Sequence, residues 1–103
     1  MAGTSDRGES RDRESRHRRA ALQQPLRRRV ARCLVGGEEA SAGELAAELE
    51  ASPGRVAYHL RVLRKWRVVR AVPGRNPAPP RYRWDPEAEW AYEILAEDDE
   101  KDA

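Results

Sequence analysis

The chain has 103 residues, 37% of them charged and 39% hydrophobic, with no Phe and a single Cys. That suffices for one small domain and excludes a large apolar core. The formal net charge of +2 conceals a segregation: residues 51–84 carry nine basic residues and no Asp or Glu, whereas 36–50 carry five Glu and no Lys or Arg. An acid-free basic stretch suits a polyanion, the plain alternative being a solvated face balanced by acids elsewhere. No apolar run approaches the ~18 residues of a membrane span. The N-terminus shows no apolar h-region, so no secretory signal is expected. One cysteine forms no internal disulfide and fits a reducing, cytoplasmic setting.

Residues 1–19 are polar, without apolar periodicity, and read as a disordered tail. From Ala20, apolar residues recur at Leu22, Leu26, Val30 and Leu34, an amphipathic helix pattern whose regular part starts near Gln24 with Pro25 in its first turn. Gly36 and Gly37 end it. Cys33, beside the apolar seam, reads as a small buried residue. Ser41 and Glu44 have the spacing of a capping box that opens a helix to about Glu50, with Leu45 and Leu49 inward.

Ser52 then caps a further helix, with Pro53 at its first position. Val56, Leu60 and Leu63 fall on one face, flanked by His59 and Trp66; Tyr58, Arg61 and Lys65 point the other way, with Arg55 and Arg64 beside them. A lone His on such a seam is more often a packed core residue than a ligand. Val62 lies off the seam, under a possible wing. Val68, Val69 and Val72, then Arg81 to Trp84, read as two strands of a β-hairpin around the Pro-rich segment 73–80, which holds Arg75 and Asn76. Asp85 and Pro86 mark a last helix with Trp90, Ala91, Ile94 and Leu95 on its apolar face, followed by an acidic tail over 97–103.

The order is helix, helix-turn-helix, β-hairpin, helix: a mainly α fold with a β-hairpin, the winged helix-turn-helix, over residues 20–96. A short capped helix followed by a second capped helix that is basic and aromatic-edged suits the major groove of double-stranded DNA. Arg55, Tyr58, Arg61 and Lys65 are the leading contacts, and Arg64, Arg75, Arg81 and Arg83 the phosphate contacts. A domain this small is marginal alone. Leu22 and Leu26 on the first helix, with Trp90, Ile94 and Leu95 on the last, could pair two copies across a twofold axis. No nucleophile-base pair, phosphate-binding glycine loop or metal-ligand spacing is visible, so neither an enzyme, a cofactor nor a metal is expected. The alternative is a winged helix that docks another protein.

The stretch from Ser41 to Leu49, followed by Ser52 to Leu63 with Val56, His59, Leu60 and Leu63 in a V-x-x-H-L-x-x-L run, resembles the ArsR-like winged-helix transcriptional regulators. The resemblance covers about 22–95 and implies a homodimer on a short inverted repeat. Its groove-facing positions fall on Pro53, Gly54, Arg55, Ala57, Tyr58 and Arg61, and its wing on the hairpin. The family's usual glycines after each helix of the motif are replaced by Glu50 and Arg67. A side chain in a left-handed turn there costs ~1 kcal/mol. With one Cys and two His in the chain, the family's metal-sensing sites are missing.

Overall fold

The computed structural model describes residues 13–14, 16–73 and 79–102. Residues 13, 14 and 16–21 are helical (α1), although 1–19 reads as a tail in the sequence. Arg18 Nη2 lies 2.9 Å from Glu14 Oε1 one turn back, and its guanidinium lies 5.1 Å from the centre of the Trp90 ring. His17 and Trp66 have ring centroids 6.4 Å apart. Polar side chains anchor this helix by cation–π and ring contacts, which apolar periodicity does not register.

Helix α2, Pro25–Leu34, starts at Gln24, whose side chain accepts from Arg27 N at 2.7 Å. It ends where Gly37, at φ 89°, donates to Leu34 O at 3.1 Å. The positive φ is what calls for glycine there. β1 is the two-residue Ala40–Ser41, and α3, Ala42–Leu49, opens on the expected capping box: Glu44 N donates to Ser41 Oγ and Ser41 N to Glu44 Oε1, both at 3.2 Å. Helix α4, Pro53–Lys65, follows with Ser52 as its N-cap.

The turns after α3 and α4 have the same build. Ala51 N donates to Ala46 O at 2.9 Å, and Val68 N donates to Leu63 O at 2.8 Å. Each is the 6→1 bond of a Schellman motif, which requires a left-handed residue between cap and bond. Glu50 (φ 54°) and Arg67 (φ 60°) supply it. Both turns therefore take the shape that glycine favours, with side chains other than glycine.

β2 (Val69–Val72) and β3 (Arg81–Trp84) form the expected antiparallel hairpin, with Val68 left to the helix cap rather than the strand. Among the described residues the sheet has a third strand, since β1 pairs with the other edge of β3 in the order β1-β3-β2. A two-residue Ala-Ser strand has no propensity to betray it. Asp85 does not cap the last helix. Its Oδ1 accepts from Glu87 N at 2.9 Å in a turn, and α5 begins at Glu89. The α5 backbone runs helical to Asp102, through the segment read as a tail. No Gly or Pro interrupts residues 89–102, and their Glu, Ala and Lys favour helix.

Leu22, Val30, Leu34, Leu45, Val56, Leu60, Leu63, Val68 and Val69 are fully buried, and Ala88, Ala91 and Leu95 close the core from the C-terminal side. Leu22 at 0% and Leu95 at 3% exposure have no surface left for a second copy. This corrects their assignment to a dimer face: the one-chain core needs them first.

Glu50→Gly and Arg67→Gly should each raise stability by about 0.5–1 kcal/mol, since relief of left-handed strain exceeds the added freedom of the unfolded chain. The check is the urea midpoint at constant m-value; an unchanged or lower midpoint contradicts it.

Candidate nucleic-acid interface

Val56, His59, Leu60 and Leu63 form the buried side of α4. Its opposite side is thereby turned to solvent. Tyr58 is 51% exposed, and Arg55, Arg61, Arg64 and Lys65 are exposed with it. Among the described residues, none of these four cations has an ion-pair partner. The helix thus combines an apolar seam with a free cationic face, as the sequence pattern implies.

His59 is 6% exposed and accepts at Nδ1 from Arg27 Nε, 3.2 Å away, so a residue of α2 braces the middle of α4. Burial, then the charges of Arg27 and Arg55, push its pKa below the ordinary histidine value. The neutral imidazole is the folded form, which is the packed role its place on the seam suggests.

The hairpin continues the basic surface. Arg70 stands directly opposite Arg83, and Val72 opposite Arg81, while Val69, Trp84, Ala71 and Tyr82 occupy the other face. Like charges directly opposite each other in a sheet repel, and a polyanion would relieve that. Arg70 and Arg67 were not among the contacts singled out from the sequence. The signal for Arg70 is its strand register with Arg83, which becomes readable only once the hairpin pairing is known. Arg64, Arg67 and Arg70 line a cleft of about 490 Å³ whose far wall carries Asp85 and Glu87. Those acids offset part of the positive charge at the cleft; none of them lies on α4.

Arg81 departs from its expected role. Its Nη1 donates to Glu44 Oε1, its Nη2 donates to Glu39 O at 2.9 Å, and its Nε lies 3.9 Å from Glu39 Oε1. The bonds from Ser41 and then the Arg81 charge hold the Glu44 carboxyl below the usual carboxylate range. Paired with Glu44 on α3 and with Glu39 just before β1, Arg81 fastens the wing base. Arg75 and Asn76 lie outside the described residues. Val62 lies beside His17, Ala20 and Ala21 of α1, away from the wing. Cys33 is half-buried, and burial followed by the Glu48 charge pushes its thiol up, against a smaller opposing effect of Arg29. A neutral thiol is a weak nucleophile. Among the described residues no group of three or more His, Cys, Asp or Glu is placed to hold a metal ion, and no helix is long and apolar enough to cross a membrane.

A family model described as a helix-turn-helix domain matches residues 22–72. Among solved structures, the transcriptional repressor BigR from Xylella fastidiosa is 29% identical, with 89% of this chain and 87% of that chain covered at a TM-score of 0.67. An ArsR-like transcriptional regulator from Rhodococcus sp. RHA1 is 27% identical, with 89% of each chain covered at a TM-score of 0.63.

The chain has a winged helix-turn-helix fold similar to that of ArsR-like regulators.

A more distant structure shares the fold alone: the homodimeric winged helix-turn-helix DNA-binding domain of Mb0332 from Mycobacterium bovis, 20% identical, covers 100% of this chain and 96% of that chain at a TM-score of 0.73. No curated protein matches the chain by sequence. In this winged helix-turn-helix protein α3 and α4 are the two helices of the motif, β2 and β3 the base of the wing, and α1, α2 and α5 the support.

The depressed pKa of His59 gives the support a pH dependence. The unfolded chain takes up a proton near the ordinary value of ~6.5 before the folded chain does. Stability should be full above that value and fall as the pH drops through it. Urea midpoints at pH 7.5 and 5.5 read the effect; His59→Gln should flatten the slope over this window, and an unaltered slope would show that His59 is not its source.

Proposed function

We propose that the protein is a transcriptional regulator that binds double-stranded DNA as a homodimer, with α4 in the major groove and the wing on the flanking groove or backbone. One observation carries this reading: Tyr58, Arg61 and Lys65 stand solvent-exposed on the side of α4 opposite its buried seam, the two cations without ion-pair partners among the described residues. Arg61 suits bidentate contact with guanine, worth about 1–3 kcal/mol of discrimination, and Arg55, Tyr58 and Lys65 flank it. Arg64, Arg70 and Arg83 supply phosphate contacts that set register. BigR is a transcriptional repressor and the Rhodococcus protein an ArsR-like regulator, which supports the same assignment here.

The dimer face in this reading is narrower than the sequence suggests. Leu26, Trp90 and Ile94 lie against the core but remain partly exposed, and Tyr92 on α5 is 54% exposed. These side chains, on α2 and α5, form the pairing surface, and Leu22 and Leu95 stay inside. Two α4 helices about one DNA turn apart, ~34 Å, then match a twofold-symmetric site. The Mb0332 domain, described as homodimeric, supports two copies.

Binding to a cognate duplex should weaken by about a thousandfold between 50 and 200 mM salt if about six phosphates are contacted. Arg61→Ala should weaken it by about 1–3 kcal/mol, and Arg81→Ala only slightly. Fluorescence anisotropy across a salt series checks all three; salt-independent binding, or a larger loss at Arg81 than at Arg61, contradicts the assignment. Ile94→Glu should give a monomer by sedimentation and weaken duplex binding together with it.

A further inference from the structure

Between α1 and the flank of α4 lies a groove of about 410 Å³. The rings of His17, Tyr58 and Trp66 line it with Val62, and so do the cations Arg27 and Lys65; no Asp or Glu is among its lining residues. Tyr58, Val62 and Lys65 lie on one stripe of α4 at helical spacing, and Trp66 follows as its C-cap. On the α1 side Ala20 and Ala21 keep the space open.

Arg27 is already held in place. Its Nε donates to His59 Nδ1 at 3.2 Å and its Nη1 donates to Ala21 O at 2.8 Å, which leaves Nη2 without a partner among the described residues. A guanidinium fixed by two bonds can give its remaining donors to an anion with little loss of side-chain freedom. The groove is within the size range of small-molecule sites, ~300–1,000 Å³, and has their makeup of apolar and aromatic walls with a few placed polar groups. Flat walls call for a flat ring; two cations on walls that carry no acid call for a negative charge, since Glu14, which shares the neighbouring cleft with Lys65, is paired with Arg18.

We propose that this groove binds a small aromatic carboxylate, its ring among Tyr58, Val62 and Trp66 and its carboxylate toward Arg27 and Lys65. Tyr58 and Lys65 are also two of the side chains assigned to the duplex above. An occupied groove and a bound duplex therefore compete for them, and the ligand releases the protein from DNA. The binding stands by itself; only this consequence rests on the DNA-binding reading.

The test is an amide-resolved NMR titration of the full chain with indole-3-acetate, and with tryptamine as the same ring carrying a positive charge. Saturable shifts should cluster at Ala20, Tyr58, Val62 and the Trp66 indole N–H, with tryptamine weaker by about tenfold or more. Ala20→Trp, which fills the groove from an exposed position, should reduce affinity for indole-3-acetate by a similar factor. Lys65→Gln, a surface change that spares the core, should reduce it about threefold. Equal binding of tryptamine, shifts centred elsewhere, or undiminished binding by Ala20→Trp and Lys65→Gln would overturn the proposal. Indole-3-acetate should also weaken duplex binding by the unmodified protein and not by Ala20→Trp; equal weakening of both would overturn the competition. A protein that takes indole-3-acetate in this groove but binds no duplex supports the groove and refutes the DNA reading.

Discussion

Burial of Val56, Leu60 and Leu63 on one side of α4 decides the direction in which its other side looks. Each such side chain contributes roughly 1.5–3 kcal/mol when fully buried. Three together rival the whole stability of a small domain, about 5–15 kcal/mol. Rotating the helix by one residue to hide its cations would forfeit much of that and bury charge as well. The cationic face is therefore held outward by the core and not by any contact of its own. That leaves Arg61 and Lys65 available to a partner.

The neighbours of α4 fix its angle. Paired Schellman turns at Glu50 and Arg67 set where the helix enters and leaves. His59 ties it to α2 through Arg27. At the wing base, Arg81 joins β3 to Glu44, the residue that also completes the cap of α3. One carboxylate thus serves both α3, which precedes α4, and β3 beyond it. The acids of 36–50 and the bases of 51–84 meet at that contact, so the charge segregation of the sequence has one structural use at the wing base and another, as an unmatched surface, along α4.

Much of this was legible in the sequence because local rules govern it. Ser41 with Glu44, Ser52 with Pro53, and the spacing of Val56, Leu60 and Leu63 each name a cap or a face without reference to the rest of the chain. The two non-glycine turns were marked only by the family resemblance, whose usual glycines fall on Glu50 and Arg67; that both keep the left-handed shape came from the structure. What stayed hidden depends on partners distant in sequence. β1 exists only because β3 offers it an edge. α1 is anchored by Arg18 on Trp90 and by His17 near Trp66, contacts that hydrophobic periodicity does not encode. Arg81 looked like the other wing arginines until Glu39 and Glu44 came beside it, and Leu22 and Leu95 looked like interface until the core claimed them. The face of α4 was readable by its own pattern; the division of the remaining residues between core, brace and surface was not.

Selection of bound duplexes from a random-sequence pool by the unmodified protein tests the central claim most directly. If the outward side of α4 enters the major groove in two copies, the enriched sequences will share two symmetry-related half-sites whose centres lie about one helical turn apart. Recovery of duplexes with no shared sequence, or no enrichment over the starting pool, would contradict it.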